Sequence, residues 1–268
     1  MFPELVTFSI PSFLQGFLPD HFTLHSYGLM IALGVLVSFY ITLQKSKRFG
    51  LDSDTLSSLF IWVILAAFVG GKLFFFLEDM GKFTANPSLI KGAIGGGFVF
   101  YGSLIFAVPT IVWWLKKEKV PVRPFLDILA IVGPVVHSFG RVGCFLAGCC
   151  HGKVCTSWVG VTFSNPDSLA AIKNVPLYPT QLFDIAVNMF ILITVLLWQH
   201  KKKFDGQLFL IYLMMYAVGR SIVEMYRGDD TRGFVIEGVL SHSQFIAIGI
   251  LVVCAIVWRR WSKDKVII

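Results

Sequence analysis

At 268 residues the chain is long enough for one or two soluble domains, yet 56% of it is hydrophobic and only 15% charged. With a mean hydropathy of +0.74, that balance excludes an ordinary soluble enzyme and points to a membrane protein. The net charge of +7 does not imply nucleic acid, because the basic residues gather in short loops between apolar runs.

Residues 1–25 hold Phe13, Leu14, Phe17 and Leu18 around Pro11 and Pro19, the composition of an interfacial arm. They lack a basic n-region and a cleavage-like site, so the first spanning helix is expected to serve as the export signal. Seven apolar runs follow, each long enough or nearly so to cross a hydrocarbon core of about 30 Å. They are residues 26–43, 56–77, 97–115, 125–147, 181–198, 207–226 and 241–258. Pro134, several glycines and Arg141 interrupt the fourth, which is tolerated where a helix faces protein or a cavity. The KGAIGGG stretch at 91–97 reads either as a hinge or as a tight entry into the third helix. Residues 148–180, with Trp158, Val159 and Val161, are expected to form a small strand-bearing extracytoplasmic head.

Fourteen basic residues lie at one set of helix ends (45–48, 116–123, 201–203 and 259–265) and six at the opposite ends. That bias predicts an outside N-terminus and an inside C-terminus. The expected fold is therefore an all-α integral membrane protein, a single domain over 1–268 with seven transmembrane helices. In that topology Tyr27, Tyr101, Gln181 and Asp184 sit at outer helix ends. Lys72, His137, Arg141, Tyr216, Arg220 and Glu224 fall in outer halves or near the middle. The inner halves are plain Leu, Ile, Val and Phe, which favours chemistry at the outer leaflet over a transport path.

A charged side chain at membrane depth costs roughly 2.5 kcal/mol or more unless compensated, so Arg141 is a functional candidate. His137, Arg141 and Cys144 are spaced 4 and 3 along one helical face, and Tyr216, Arg220, Glu224 and Arg227 are spaced 4, 4 and 3 along another. The plain alternative is that Arg220 and Glu224 form only an i,i+4 ion pair and that His137 is a satisfied core histidine. Two outer-half arginines with few acids nearby favour an anion, and a lipid phosphate suits the guanidinium fork. Cys144, Cys149, Cys150 and Cys155 crowd the outer end of the fourth helix. A disulfide from Cys155 to Cys149 or Cys150, a metal site and free thiols all stay open, although the spacing lacks a paired CxxC. Cys254 reads as a core residue.

HSYGLMIALG, VGGKLFFFL, GGGFVFYGSLIF, GRVGCFLAGCCHG, YPTQLFD, YAVGRSIVEMYRGDD and LSHSQ follow one another along the chain. In register, these seven motifs resemble the prolipoprotein diacylglyceryl transferase family of bacterial inner-membrane enzymes. The resemblance implies transfer of the diacylglyceryl group of phosphatidylglycerol to a lipobox cysteine of a prolipoprotein signal peptide, with release of glycerol 1-phosphate and no cofactor or metal. Arg141 would match the signature arginine and Arg220 the sixth-helix arginine. Tyr27, Gly102, Gly152, Gln181, Tyr216, Glu224 and Arg227 fall on family positions that would bind substrate. The chain departs from the family where its histidine is Tyr101, its two asparagines are Cys144 and Ala147, and its glutamate is Cys149. The general base is then open among Tyr101, His137 and His151. The departures also allow a different lipid donor or acceptor, or a lipid-binding or thiol-redox scaffold.

Overall fold

The computed structural model describes residues 2–9, 21–86, 88, 97–228, 234–236 and 240–263. The interfacial residues Phe13, Leu14, Phe17 and Leu18 and most of the KGAIGGG stretch lie outside these. The chain divides into two compact units, Met1–Thr42 with Leu126–Ile268, and Leu43–Phe125.

The first unit opens with an antiparallel hairpin of β1 (Glu4–Ser9) and β2 (His21–His25), joined across the strands by the Thr7 and Thr23 hydroxyls at 3.1 Å. These strands were not anticipated, because the arm reads as irregular by composition. Ser26 then anchors helix α1 (Ser26–Ser46) by donating its N–H to the Pro3 carbonyl at 2.9 Å.

The second unit holds α2 (Ser53–Glu78), the short α3 (Met80–Ala85) and α4 (Phe100–Lys117). Asp52 caps α2, its carboxylate accepting from Thr55 N at 2.8 Å. Helices α2 and α4 approach closely where Gly70 faces Gly102. A Cβ on Gly70 would meet the Phe106 Cβ at 2.8 Å, and one on Gly102 the Phe74 Cβ at 2.6 Å. Small residues at a crossing let backbones pack where lipid supplies no hydrophobic drive. Trp114, fully buried, donates to Ser58 Oγ at 2.8 Å further along the same pair.

The rest of the first unit is α5 (Val122–Ala147), whose first residues belong to the second unit, then α6 (Thr180–Trp198), α7 (Gln207–Glu224) and α8 (His242–Trp261). Helix α5 runs unbroken through Pro134. Ala130, Ile131, Ile191, Val195 and Leu208 form the core among α5, α6 and α7. Phe204, Leu210 and the buried Cys254 form a second core between α7 and α8. Between α5 and α6, β3 (Val161–Thr162) pairs with β4 (Pro176–Leu177) over Phe163 and Ala170. A last ribbon, β5 (Phe234–Ile236) and β6 (Leu240–Ser241), leads into α8. That helix starts on a capping box, with Gln244 N donating to Ser241 Oγ at 3.2 Å and Ser241 N to Gln244 Oε1 at 3.1 Å.

One carboxylate joins two of these helices. Asp127, on α5 and 3% exposed, accepts from Leu208 N at 3.0 Å and Gly206 N at 3.1 Å, and so caps α7 from another helix. Lys202 Nζ completes the cluster at 3.0 Å from Asp127 and 2.7 Å from Asp205.

Among the described residues six helices are long and apolar enough to cross a membrane: α1, α2, α5, α6, α7 and α8. The third expected span appears as α4, which falls outside this set, its last turn ending in Lys116 and Lys117. The helices therefore make a mostly helical membrane protein, with short two-stranded ribbons where the sequence reading is all-α.

Candidate active site

The site grows from α5, α6 and α7 of the first unit. Arg141 Nε donates to His137 Nε2 at 3.1 Å, one turn earlier on α5, and stands 2.9 Å from Asp184 Oδ2 on α6. The side chains of Arg141 and Asp184 are only 16% and 2% exposed. On α7, Arg220 and Glu224 form the i,i+4 ion pair at 2.5 Å that their spacing allows. Arg220 Nη1 nonetheless remains buried with no hydrogen-bond partner among the described residues. The His137 ring lies against Tyr216 with centroids 5.2 Å apart, joining the α5 and α7 faces.

Asp184 is the electrostatic centre, interacting with Arg141, Arg220 and the buried Arg227. Three guanidiniums thus surround two carboxylates, Asp184 and Glu224. Buried guanidinium N–H groups beyond those paired with carboxylate are the kind of donor that can hold an anion. The sequence marks Asp184 only as a polar residue at a helix end. Its pairing was hidden because the partner lies on a different helix.

The C-terminal end of α5 closes in a Schellman turn. Gly148, at φ +83°, donates to Phe145 O at 3.3 Å while Cys149 N donates to Cys144 O at 3.1 Å. Cys150 follows at φ +61°, an uncommon backbone for a side-chain-bearing residue. The start of α6 holds this turn: Gln181 Nε2 donates to Cys149 O at 2.7 Å and Thr180 Oγ1 to Cys150 O at 2.8 Å. Gln181, expected to bind substrate, is fully buried and acts here on the turn. Gly152 pairs with Arg227 in an isolated antiparallel bridge, and a Cβ there would meet the Tyr178 Cβ at 2.7 Å. Tyr27 packs on Gly143, where a Cβ would lie 3.1 Å from the Tyr27 Cα, and it is in electrostatic reach of Arg141 and the thiols of this turn.

Two of the histidines are already committed. His151 Nδ1 lies 2.9 Å from Gly152 O while Nε2 accepts from Ala171 N at 3.3 Å, and His137 spends its Nε2 lone pair on Arg141. Tyr101 and Gly102 belong to the second unit. Tyr101 is more than half exposed, and Gly102 forms the helix crossing with Gly70 rather than an open binding surface.

All five cysteines are free thiols in the structure, so the Cys155 pairing to Cys149 or Cys150 is not formed. Cys155 Sγ instead lies 3.1 Å from Ser157 Oγ. The thiols that converge are those of Cys144, Cys149 and Cys150, all within 4.8 Å of one another. The Cys144 and Cys149 thiols share hydrogen bonds with the Cys150 thiol.

Helical spans that carry a buried guanidinium–carboxylate cluster are those of a multi-pass membrane protein. Residues 17–260 match the family described as prolipoprotein diacylglyceryl transferase, and the chain belongs to that family. It is similar to the phosphatidylglycerol–prolipoprotein diacylglyceryl transferase of Clostridium tetani, 37% identical over 244 residues that span 90% of this chain and 95% of that protein. It is 38% identical over 234 residues to the protein of that name numbered 2 in Clostridium perfringens, covering 85% and 88% of the two chains. The Acinetobacter baumannii protein of the same name is 27% identical over 244 residues, covering 88% and 87%.

Proposed function

We propose that this chain transfers the diacylglyceryl group of phosphatidylglycerol to the lipobox cysteine thiol of prolipoprotein signal peptides, releasing glycerol 1-phosphate. The observation that carries this is the excess of buried guanidinium over carboxylate around Asp184, with Arg220 Nη1 unpartnered. Family membership and the activity for which the relatives are named support it.

Arg141 and Arg220 grip the lipid phosphate and neutralise it as the glyceryl C–O bond breaks, with Arg227 adding to the field and Tyr27 and Tyr216 flanking the headgroup. Donors aimed at charge that develops on the leaving group are usually the largest catalytic term. Glu224 and Asp184 keep the guanidiniums charged and oriented. Gly152 and Gln181 hold the turn beside them, and Tyr101 stands at the family's histidine position. The chain crosses the bacterial inner membrane seven times with its N-terminus outside, and residues 148–180 form the outer head. Lipid and signal peptide enter from the outer leaflet.

The test is transfer of labelled diacylglycerol from phosphatidylglycerol to a lipobox peptide, with variants matched for folded protein. Removing either arginine should cost about 2.7–4 kcal/mol of barrier, a hundredfold or more in rate, by analogy with loss of one preorganised donor. Arg141→Lys and Arg220→Lys should also be impaired, because charge survives and fork geometry does not. Near-native transfer by both alanine variants would defeat the proposal.

A further inference from the structure

The geometry points to a metal site: Cys144, Cys149 and Cys150 bind one thiophilic divalent cation of the zinc class, and its fourth position takes the acceptor thiol. This inference deepens the transfer reading and rests on it.

Three features support the site. The sulfurs lie within 4.8 Å of one another. Tetrahedral zinc with bonds of about 2.3 Å needs sulfurs about 3.8 Å apart, so the cluster has at most about 1 Å to close. The turn is also fixed before any ion arrives: Gln181 and Thr180 hold the carbonyls of Cys149 and Cys150, and Cys150 keeps its positive φ of 61°. A strained residue that its surroundings over-determine is a common mark of a functional site. Finally, charge is balanced nearby. Three thiolates around a dication carry one net negative charge, and Arg141 is in electrostatic reach of Cys144 and Cys150.

Among the described residues, the neighbouring donors leave the fourth position open. Both nitrogens of His151 are engaged by backbone groups, and Cys155 turns to Ser157. Three protein ligands with an open position are the arrangement of catalytic rather than structural zinc. Such an ion supplies what the histidines do not, since a coordinated thiol is deprotonated outright. The acceptor S–H loses its proton to solvent as the metal–sulfur bond forms. The sulfur lone pair then attacks the glyceryl carbon, the C–O bond breaks, and its electron pair leaves on the phosphate held by the arginines. No electron transfer is involved.

The experiment measures zinc in the reduced, purified full-length protein and cobalt uptake after chelation. About one equivalent is expected, lost in Cys144→Ser and Cys149→Ser, kept in Cys254→Ser and regained in part by Cys149→His. In the cobalt-loaded protein the thiolate charge-transfer bands should change on adding a lipobox peptide with cysteine, and not with one carrying serine. Chelation should slow transfer about thirtyfold at pH 7 and make it climb with pH, as expected for an acceptor thiol of ordinary pKa near 8.5. Absence of stoichiometric zinc or cobalt, full retention of metal by Cys149→Ser, or an intact disulfide within the cluster would overturn the inference. So would full transfer by metal-free protein, which leaves the transferase reading standing. Metal with the thiol-dependent spectrum but no transfer supports the site and defeats that activity instead.

Discussion

At the scale of single residues, Arg141 could be found from the sequence because its charge in an apolar run demands a partner. That partner could not. Asp184 is 43 positions away on another helix, and nothing in the spacing of α6 marks it as facing α5. Its side chain is 2% exposed, and the three guanidiniums around it would lose half of their counter-charge on Asp184→Asn. Breaking a buried pair by removing one member costs about 3 kcal/mol or more. Asp184→Asn should therefore lower the thermal unfolding midpoint in detergent markedly, and an anionic lipid should restore part of the loss by taking the carboxylate's place. An unchanged midpoint would mean that Arg141 draws its compensation elsewhere.

Among the elements, the seven apolar runs and the helices that realise them agree closely, because length and hydropathy are local quantities. Terminal chemistry was less legible. The LSHSQ stretch reads as a family motif in the sequence and as a capping box in the structure, whereas the cap on α7 comes from Asp127, about 80 residues upstream. Replacing Asp127 by Ala leaves buried N–H groups at Gly206 and Leu208 unpaired and Lys202 without one of its carboxylates, at a cost of about 3 kcal/mol. For Lys202, burial opposes the charge, but hydrogen bonds to Asp205 and Asp127 outweigh it and raise the pKa. A raised pKa gives stability that is complete below the ordinary lysine value near 10.4 and is lost as pH climbs through the folded value. Unfolding midpoints followed from pH 8 to 12 should thus fall more steeply at the alkaline end for the native chain than for Lys202→Met. Parallel curves would remove Lys202 from that account. The three-thiol cluster has no paired CxxC spacing, and the sequence shows only that its cysteines crowd one helix end. A Schellman turn at Gly148 folds Cys149 and Cys150 back to Cys144, a proximity that no linear spacing rule describes.

For the whole molecule, the charge asymmetry of the helix ends is the sequence feature that bears on sidedness. In a variant lacking native cysteines, a membrane-impermeant thiol reagent should label a cysteine placed at Asn165 and spare one placed at Lys202. Labelling of both, or the reverse pattern, would overturn the seven-crossing topology and the outer-leaflet site with it. The ribbons at both ends of the chain were illegible for a simpler reason. Short strands in an apolar sequence carry no periodicity that separates them from helix or loop.

The shared cap at Asp127 has a further consequence for where the two arginines stand. Helices α5 and α7 both leave that carboxylate in the same direction. Arg141 lies 14 residues beyond Asp127 and Arg220 lies 12 beyond Leu208, distances of about 21 and 18 Å at 1.5 Å per residue. Asp127 is thus the common zero of two rulers, and the guanidiniums are its matching graduations. One residue added to or removed from either helix between the zero and the mark would turn its arginine by about 100° and shift its depth by about 1.5 Å. The chain can therefore vary its lipid-facing side chains along these spans with little effect on the site, but not the number of residues in them.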